Sequence, residues 1–114
     1  MKIEQFRFST DNLGYLVYSK KSAAAIDGGA PERMVSFAQK KGLEIIIVTN
    51  THSHHDHTPG NQALLEMTQA RFLDCRTIRS DHKIQLDDET LEAIPTPGHT
   101  ADSISFLADS FMVT

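Results

Sequence analysis

The stretch that decides the reading is Ile45-Ile46-Ile47-Val48-Thr49-Asn50-Thr51-His52-Ser53-His54-His55-Asp56-His57-Thr58-Pro59. Its first four residues are a continuous β-branched run, the mark of a strand buried on both faces. The histidines follow at once, where a chain leaving that strand emerges at the sheet edge. Along an extended segment side chains alternate faces, so His52, His54 and Asp56 point one way and Ser53 and His55 the other. Two imidazoles and a carboxylate converging from one strand end form a donor set for a first-row metal, because Zn²⁺ takes imidazole nitrogen and carboxylate oxygen alike. His57 sits where the chain turns toward a helix and can swing back to the same centre. Four donors crowd one small ion, which points to two metals, held about 3.5–4 Å apart in known two-metal hydrolytic sites. Thr58-Pro59 offers an N-cap and a proline at N1, so a helix is expected over residues 59–69. Its N-terminus would favour an anionic group beside the ligands.

Working outward, Asp27-Gly28-Gly29 breaks a strand pattern and leads into a helix that starts near Pro31 and ends at Gly42. Before it, Ile3, Phe6 and Phe8 are apolar among charges. The segments 13–18 and 23–26 read as strands joined at Lys20-Lys21. After the second helix, residues 71–74 suggest a short strand, and residues 84–94 one or two more around Asp87-Asp88-Glu89. Pro95-Thr96-Pro97-Gly98 reads as a loop, and it carries another donor, His99. If 45–48 and 91–94 share a sheet, both loops emerge at one edge. Residues 104–107 and 111–114 form a last pair of strands. Strands with two helices give an α/β (α+β) class with one mixed sheet.

Composition narrows the function. The 114 residues make one domain, 1–114, with 39% apolar and 23% charged residues, so wholesale disorder is excluded. Net charge is −4, which leaves no basic footprint for nucleic acid. No apolar run reaches the roughly 18–20 residues of a membrane span. The start, MKIEQFRFST, lacks a signal-peptide pattern, and together these features place the expectation in the cytoplasm. The single Cys75 excludes an internal disulfide and reads as a small buried hydrophobe. Of six histidines, four lie within residues 52–57, too concentrated and too well placed at a strand end to be incidental. His55 and His82 read as ordinary surface or core histidines.

The run His52-Ser53-His54-His55-Asp56-His57 after a buried strand and Thr51 resembles the signature of the metallo-beta-lactamase superfamily. Thr96-Pro97-Gly98-His99-Thr100 resembles that family's third-histidine loop, and Asp27-Gly28-Gly29 its early Asp-Gly turn. Pro59-Gly60-Asn61 is similar to the glyoxalase II (hydroxyacylglutathione hydrolase) branch. The resemblance implies an αββα sandwich and a dinuclear metallohydrolase, with zinc or iron, acting on a small-molecule ester or thioester; the His and Asp donors suit manganese as well. It assigns His52, His54 and His99 to the first metal, and Asp56 and His57 to the second. Asp56 would also orient the water nucleophile and shuttle a proton. A persulfide dioxygenase using one iron shares both motifs. Family members are longer and carry two further ligands, a bridging Asp after a strand like Phe111-Met112-Val113-Thr114 and a final His. The chain is therefore expected to form the N-terminal half of the sandwich. Alone it would be a metal-binding half-domain without turnover, and its uncovered sheet would favour a homo-oligomer or domain-swapped dimer.

Overall fold

The computed structural model describes residues 1–9, 12–52, 58–96 and 103–113, with backbone only for Thr58 and Pro59. Strands β1 (Lys2–Phe8), β2 (Asn12–Tyr18) and β3 (Ser22–Ile26) form an antiparallel meander. Helix α1 (Pro31–Lys41) then crosses over to β4 (Glu44–Thr49), parallel to β3, and α2 (Thr58–Met67) crosses to β5 (Arg71–Phe72), parallel to β4. The helix start at Pro31 and stop at Gly42 follow the expected signals. Gly42 takes φ 70°, the left-handed C-cap that a side chain would oppose, and its N–H reaches the carbonyls of Ala38 and Gln39. A 3₁₀ turn at Cys75–Thr77, capped by Asp74, leads to β6 (His82–Leu86), β7 (Glu89–Pro95), β8 (Ile104–Leu107) and β9 (Met112–Val113).

These last four strands do not extend the first sheet. They form their own antiparallel sheet, so the expected single mixed sheet is two: five strands in order β1-β2-β3-β4-β5 and four in order β6-β7-β8-β9. The reason is visible in the alternation. Val17, Ala24, Ile26 and Ile47 on one face of the first sheet pack against Ile84, Leu86, Leu91, Ala93, Ile104, Phe106 and Val113 of the second. Leu16, Tyr18, Ala23, Ala25, Ile45 and Val48 on its other face pack against Met34 and Ala38 of α1 and Leu64 of α2. The first sheet is thus buried on both sides, as the Ile45–Val48 run required, and the second is not, which its alternating exposure reflects.

β4 carries one irregularity. Ala23 pairs with Ile45 but Ala24 with Ile47, so Ile46 is bulged out of register. Without that bulge Ile45 and Ile47 would share a face. With it, Ile45 turns to the helices and Ile47 to the second sheet, and Ile46 is left half-buried. Smaller differences from the sequence reading are local. The strand expected at 71–74 closes after Phe72, and Pro95 ends β7 rather than opening the loop. Cys75 is buried in the inter-sheet core.

Candidate metal centre

β4 closes at Thr49 and runs on into Asn50 and Thr51, three consecutive polar residues none more than 5% exposed. Buried polar groups need partners, and the structure provides them from the turn after β3. Asp27, itself 4% exposed, takes a left-handed backbone at φ 56°. Asp is one of the few side-chain-bearing residues that tolerates this conformation, and outliers of this kind concentrate at functional sites. Its N–H donates to the carbonyl of Thr49 at 3.0 Å, which continues the β3–β4 pairing into the turn. Its carboxylate faces the end of β4. Oδ1 accepts from the Thr51 N–H at 3.0 Å and from the Asn50 amide at 3.3 Å, and Oδ2 accepts from the Thr51 hydroxyl at 2.7 Å.

The network extends to both sides. Asn50 and Asn61 exchange amide hydrogen bonds, 2.7 Å in one direction and 3.2 Å in the other, which ties the end of β4 to the first turns of α2. Gly60 beside it packs on the Asp27 turn so closely that a Cβ there would lie 2.1 Å from the Gly28 carbonyl oxygen. On the other side the Thr51 hydroxyl stands 2.9 Å from Nδ1 of His52. His52 is half-buried at the mouth of this network.

The two candidate ligand segments are brought together through their flanks. The Ile104 N–H donates to the Thr51 carbonyl at 2.6 Å, a bond between the end of β4 in one sheet and the start of β8 in the other. The residues bracketing the His99 segment close on each other, with the Thr96 N–H bound to the Ser103 carbonyl at 2.9 Å and Thr96 Oγ1 at 2.9 Å from Ser105 Oγ. Both loops therefore spring from one edge, although their strands belong to different sheets. Of the five expected ligands, His52 is described, while His54, Asp56, His57 and His99 lie outside the described residues, as does His55. Among the described residues no group of three or more His, Cys, Asp or Glu could hold a metal ion. His82 sits exposed at the start of β6.

Of the supporting residues, Thr51 entered the sequence reading only as the residue before the histidine run, and Asn50 carries no metal-site signal of its own. The available hint was a polar triplet directly after a β-branched run, which must be satisfied if that strand is buried. Asn61 stood out only within the Pro59-Gly60-Asn61 resemblance.

A strand end of this construction, with a histidine braced by an aspartate from the preceding βα turn, defines a class that sequence and structure comparisons identify. The Metallo-beta-lactamase superfamily pattern matches residues 12–73, and the chain belongs to that superfamily. It is 32% identical over 119 residues to a hydroxyacylglutathione hydrolase of Mesorhizobium japonicum, covering 93% of this chain and 47% of that protein. A hydroxyacylglutathione hydrolase of Bartonella tribocorum is also 32% identical, over 123 residues, with 93% and 47% covered. The chain thus spans about half the length of these relatives. Among solved structures, ETHE1 from Myxococcus xanthus superimposes with a TM-score of 0.85 at 26% identity, covering 98% of this chain and 56% of that one. A metallo-beta-lactamase from Staphylococcus aureus gives 0.77 at 24%, with 94% and 38% covered, and shares the fold.

Proposed function

We propose that this chain carries the metal-binding part of a metal-dependent hydrolase that cleaves a small thioester or ester, with a hydroxyacylglutathione as the first substrate to test. The observation that carries the reading is the bond between Thr51 and Ile104, which seats the flanks of two histidine segments against each other beside a braced His52. The donor set fits a first-row divalent ion: neutral imidazoles and a carboxylate suit zinc, with iron and manganese as alternatives. His52, His54 and His99 would hold one ion, and Asp56 and His57 a second. When bound, such ions polarise a carbonyl and lower the pKa of water toward about 7. The chain's own contribution is orientation. Asp56 accepts and returns a proton, and the buried network of Asp27, Asn50, Thr51 and Asn61 keeps the strand end from yielding. Relatives named for hydroxyacylglutathione hydrolysis support the substrate class.

The catalytic test uses protein from the complete reading frame. Asp56→Ala and His54→Ala should each lower hydroxyacylglutathione hydrolysis by about 100-fold or more, the scale of losing a positioned proton-transfer group. Unchanged turnover in both would remove the proposal. Oxygen uptake with a glutathione persulfide, without hydrolysis, would favour the single-iron reading instead. The 114-residue chain alone is expected to bind metal without turnover. Hydrolysis by purified 1–114 protein would show that these residues suffice.

A further inference from the structure

The unusual element of the site is the hydroxyl between a carboxylate and an imidazole. Thr51 Oγ1 lies 2.7 Å from Asp27 Oδ2 and 2.9 Å from His52 Nδ1. A hydroxyl has one proton and can both donate and accept, whereas a carboxylate can only accept. The proton of Thr51 must therefore point at Asp27, and Thr51 Oγ1 can bond His52 only as an acceptor. Nδ1 then has to be the donor. In a neutral imidazole one nitrogen carries the proton and the other the lone pair, so the lone pair sits on Nε2. Neutral imidazole of histidine in water favours the opposite arrangement, with the proton on Nε2, so the network selects the minor form.

We propose that Asp27, acting through the Thr51 hydroxyl, is a positioning residue that holds His52 in the Nδ1–H tautomer, with Nε2 as its metal-donating atom. Its consequence for metal binding rests on the proposed function, but the tautomer itself does not. The arrangement is well built for the purpose. Asp27 and Thr51 are 4% and 5% exposed, so bulk water does not compete for the hydroxyl. The carboxylate is kept in place by the Thr51 N–H and the Asn50 amide, and Asn50 is in turn fixed by Asn61. A hydroxyl relay differs from a direct carboxylate–imidazole bond in one respect. It sets the direction of the hydrogen bond and the ring's orientation while keeping the negative charge one group away from the ligand.

The test reads histidine tautomers by long-range ¹H–¹⁵N correlation in the metal-free chain near pH 8, where free imidazole is neutral, alongside zinc affinity by competition with a chromophoric chelator. Wild type should show a pyrrole-type Nδ1 and a pyridine-type Nε2 at His52. Thr51→Val removes the hydroxyl at nearly constant shape. It should shift His52 toward the Nε2–H form and weaken zinc about 10- to 100-fold, the range for loss of such a supporting partner. Thr51→Ser should restore both. A pyridine-type Nδ1 in wild type overturns the inference, and so does a folded Thr51→Val with unchanged tautomer and affinity. If Thr51→Val does not fold, the wild-type and Thr51→Ser tautomers decide it. Wild type that shows the Nδ1–H form but binds no zinc would remove the metal reading and leave the relay standing. Zinc binding with the lone pair on Nδ1 would do the reverse.

Discussion

At the scale of single residues, the centre depends on side chains that are not themselves candidate ligands. Asp27 accepts from three donors just after β4; without it the Thr51 N–H loses its acceptor, while Asn50 keeps Asn61 and the Thr51 hydroxyl can turn to His52. One buried donor left without a partner costs about 1–3 kcal/mol, so Asp27→Ala should lower stability by about that amount in urea denaturation. Gly60 makes a second prediction of different origin. Its Cβ position is occupied by the Gly28 carbonyl, and Gly60→Ala forces α2 away from the Asp27 turn. The cost is that of overpacking, about 1–3 kcal/mol, and it should appear both in the unfolding midpoint and as weakened zinc binding. The sequence marked His52, His54, Asp56, His57 and His99 by residue type. The bracing role of Asn50 and Thr51 was invisible to the same reading, because it depends on an aspartate more than twenty positions away.

At the scale of elements, two turns away from the His52 edge hold the sheets together. The turn between β6 and β7 sets Asp87 against the turn between β2 and β3. Its carboxylate accepts from the N–H groups of Lys21 and Ser22 at 2.7 and 2.9 Å and from the Ser22 hydroxyl at 3.1 Å. Asp88 pairs with Lys20 at 3.1 Å, and Glu89 accepts from Ser19 and from the N-terminal ammonium of Met1. The Lys21 N–H chiefly holds Asp87 below the usual carboxylate range. The Lys20 hydrogen bond does so for Asp88, and the ammonium, then Ser19, for Glu89. A carboxylate whose pKa is lowered on folding adds stability that is complete above its unfolded pKa, about 4, and is lost as pH falls through the folded value. Urea midpoints should therefore decline below about pH 4. Asp87→Asn should reduce the midpoint at pH 7 and flatten that decline; an unchanged acid limb would show that Asp87 contributes nothing to it. Lys20-Lys21 and Asp87-Asp88-Glu89 were both legible as turns. That one clasps the other was not, because the two lie on different sheets.

At the scale of the whole molecule, the layers are helices, five-stranded sheet and four-stranded sheet, with two hydrophobic cores between them. Among the described residues both helices lie on the first sheet. The outer face of the second carries Ile94 and Leu107, half-buried, beside Met112 at 54% exposure. The sheets end in the two-residue edge strands β5 and β9, and Phe72 on β5 is also exposed. Exposed apolar side chains on open edges invite pairing. The 114-residue chain is accordingly expected to self-associate with rising concentration in light scattering, and Met112→Lys should reduce it. A monomer throughout the range would refute this. Among the described residues no helix is long and apolar enough to cross a membrane.

The order of residues already carried the elements, the family and the candidate ligands. Each rests on local chemistry: β-branched runs make buried strands, Pro31 and Gly42 bound a helix, and donors cluster after a strand. Tertiary structure decided what required distant residues to meet. The strands after Ile78 form a second sheet because their apolar faces find Val17, Ala24, Ile26 and Ile47. The start of β8 meets the end of β4 through a hydrogen bond between sheets, from Ile104 to Thr51, and not through a shared sheet. The orientation of His52 was settled the same way, since a hydroxyl can choose which neighbour receives its proton only when a buried carboxylate has been brought beside it.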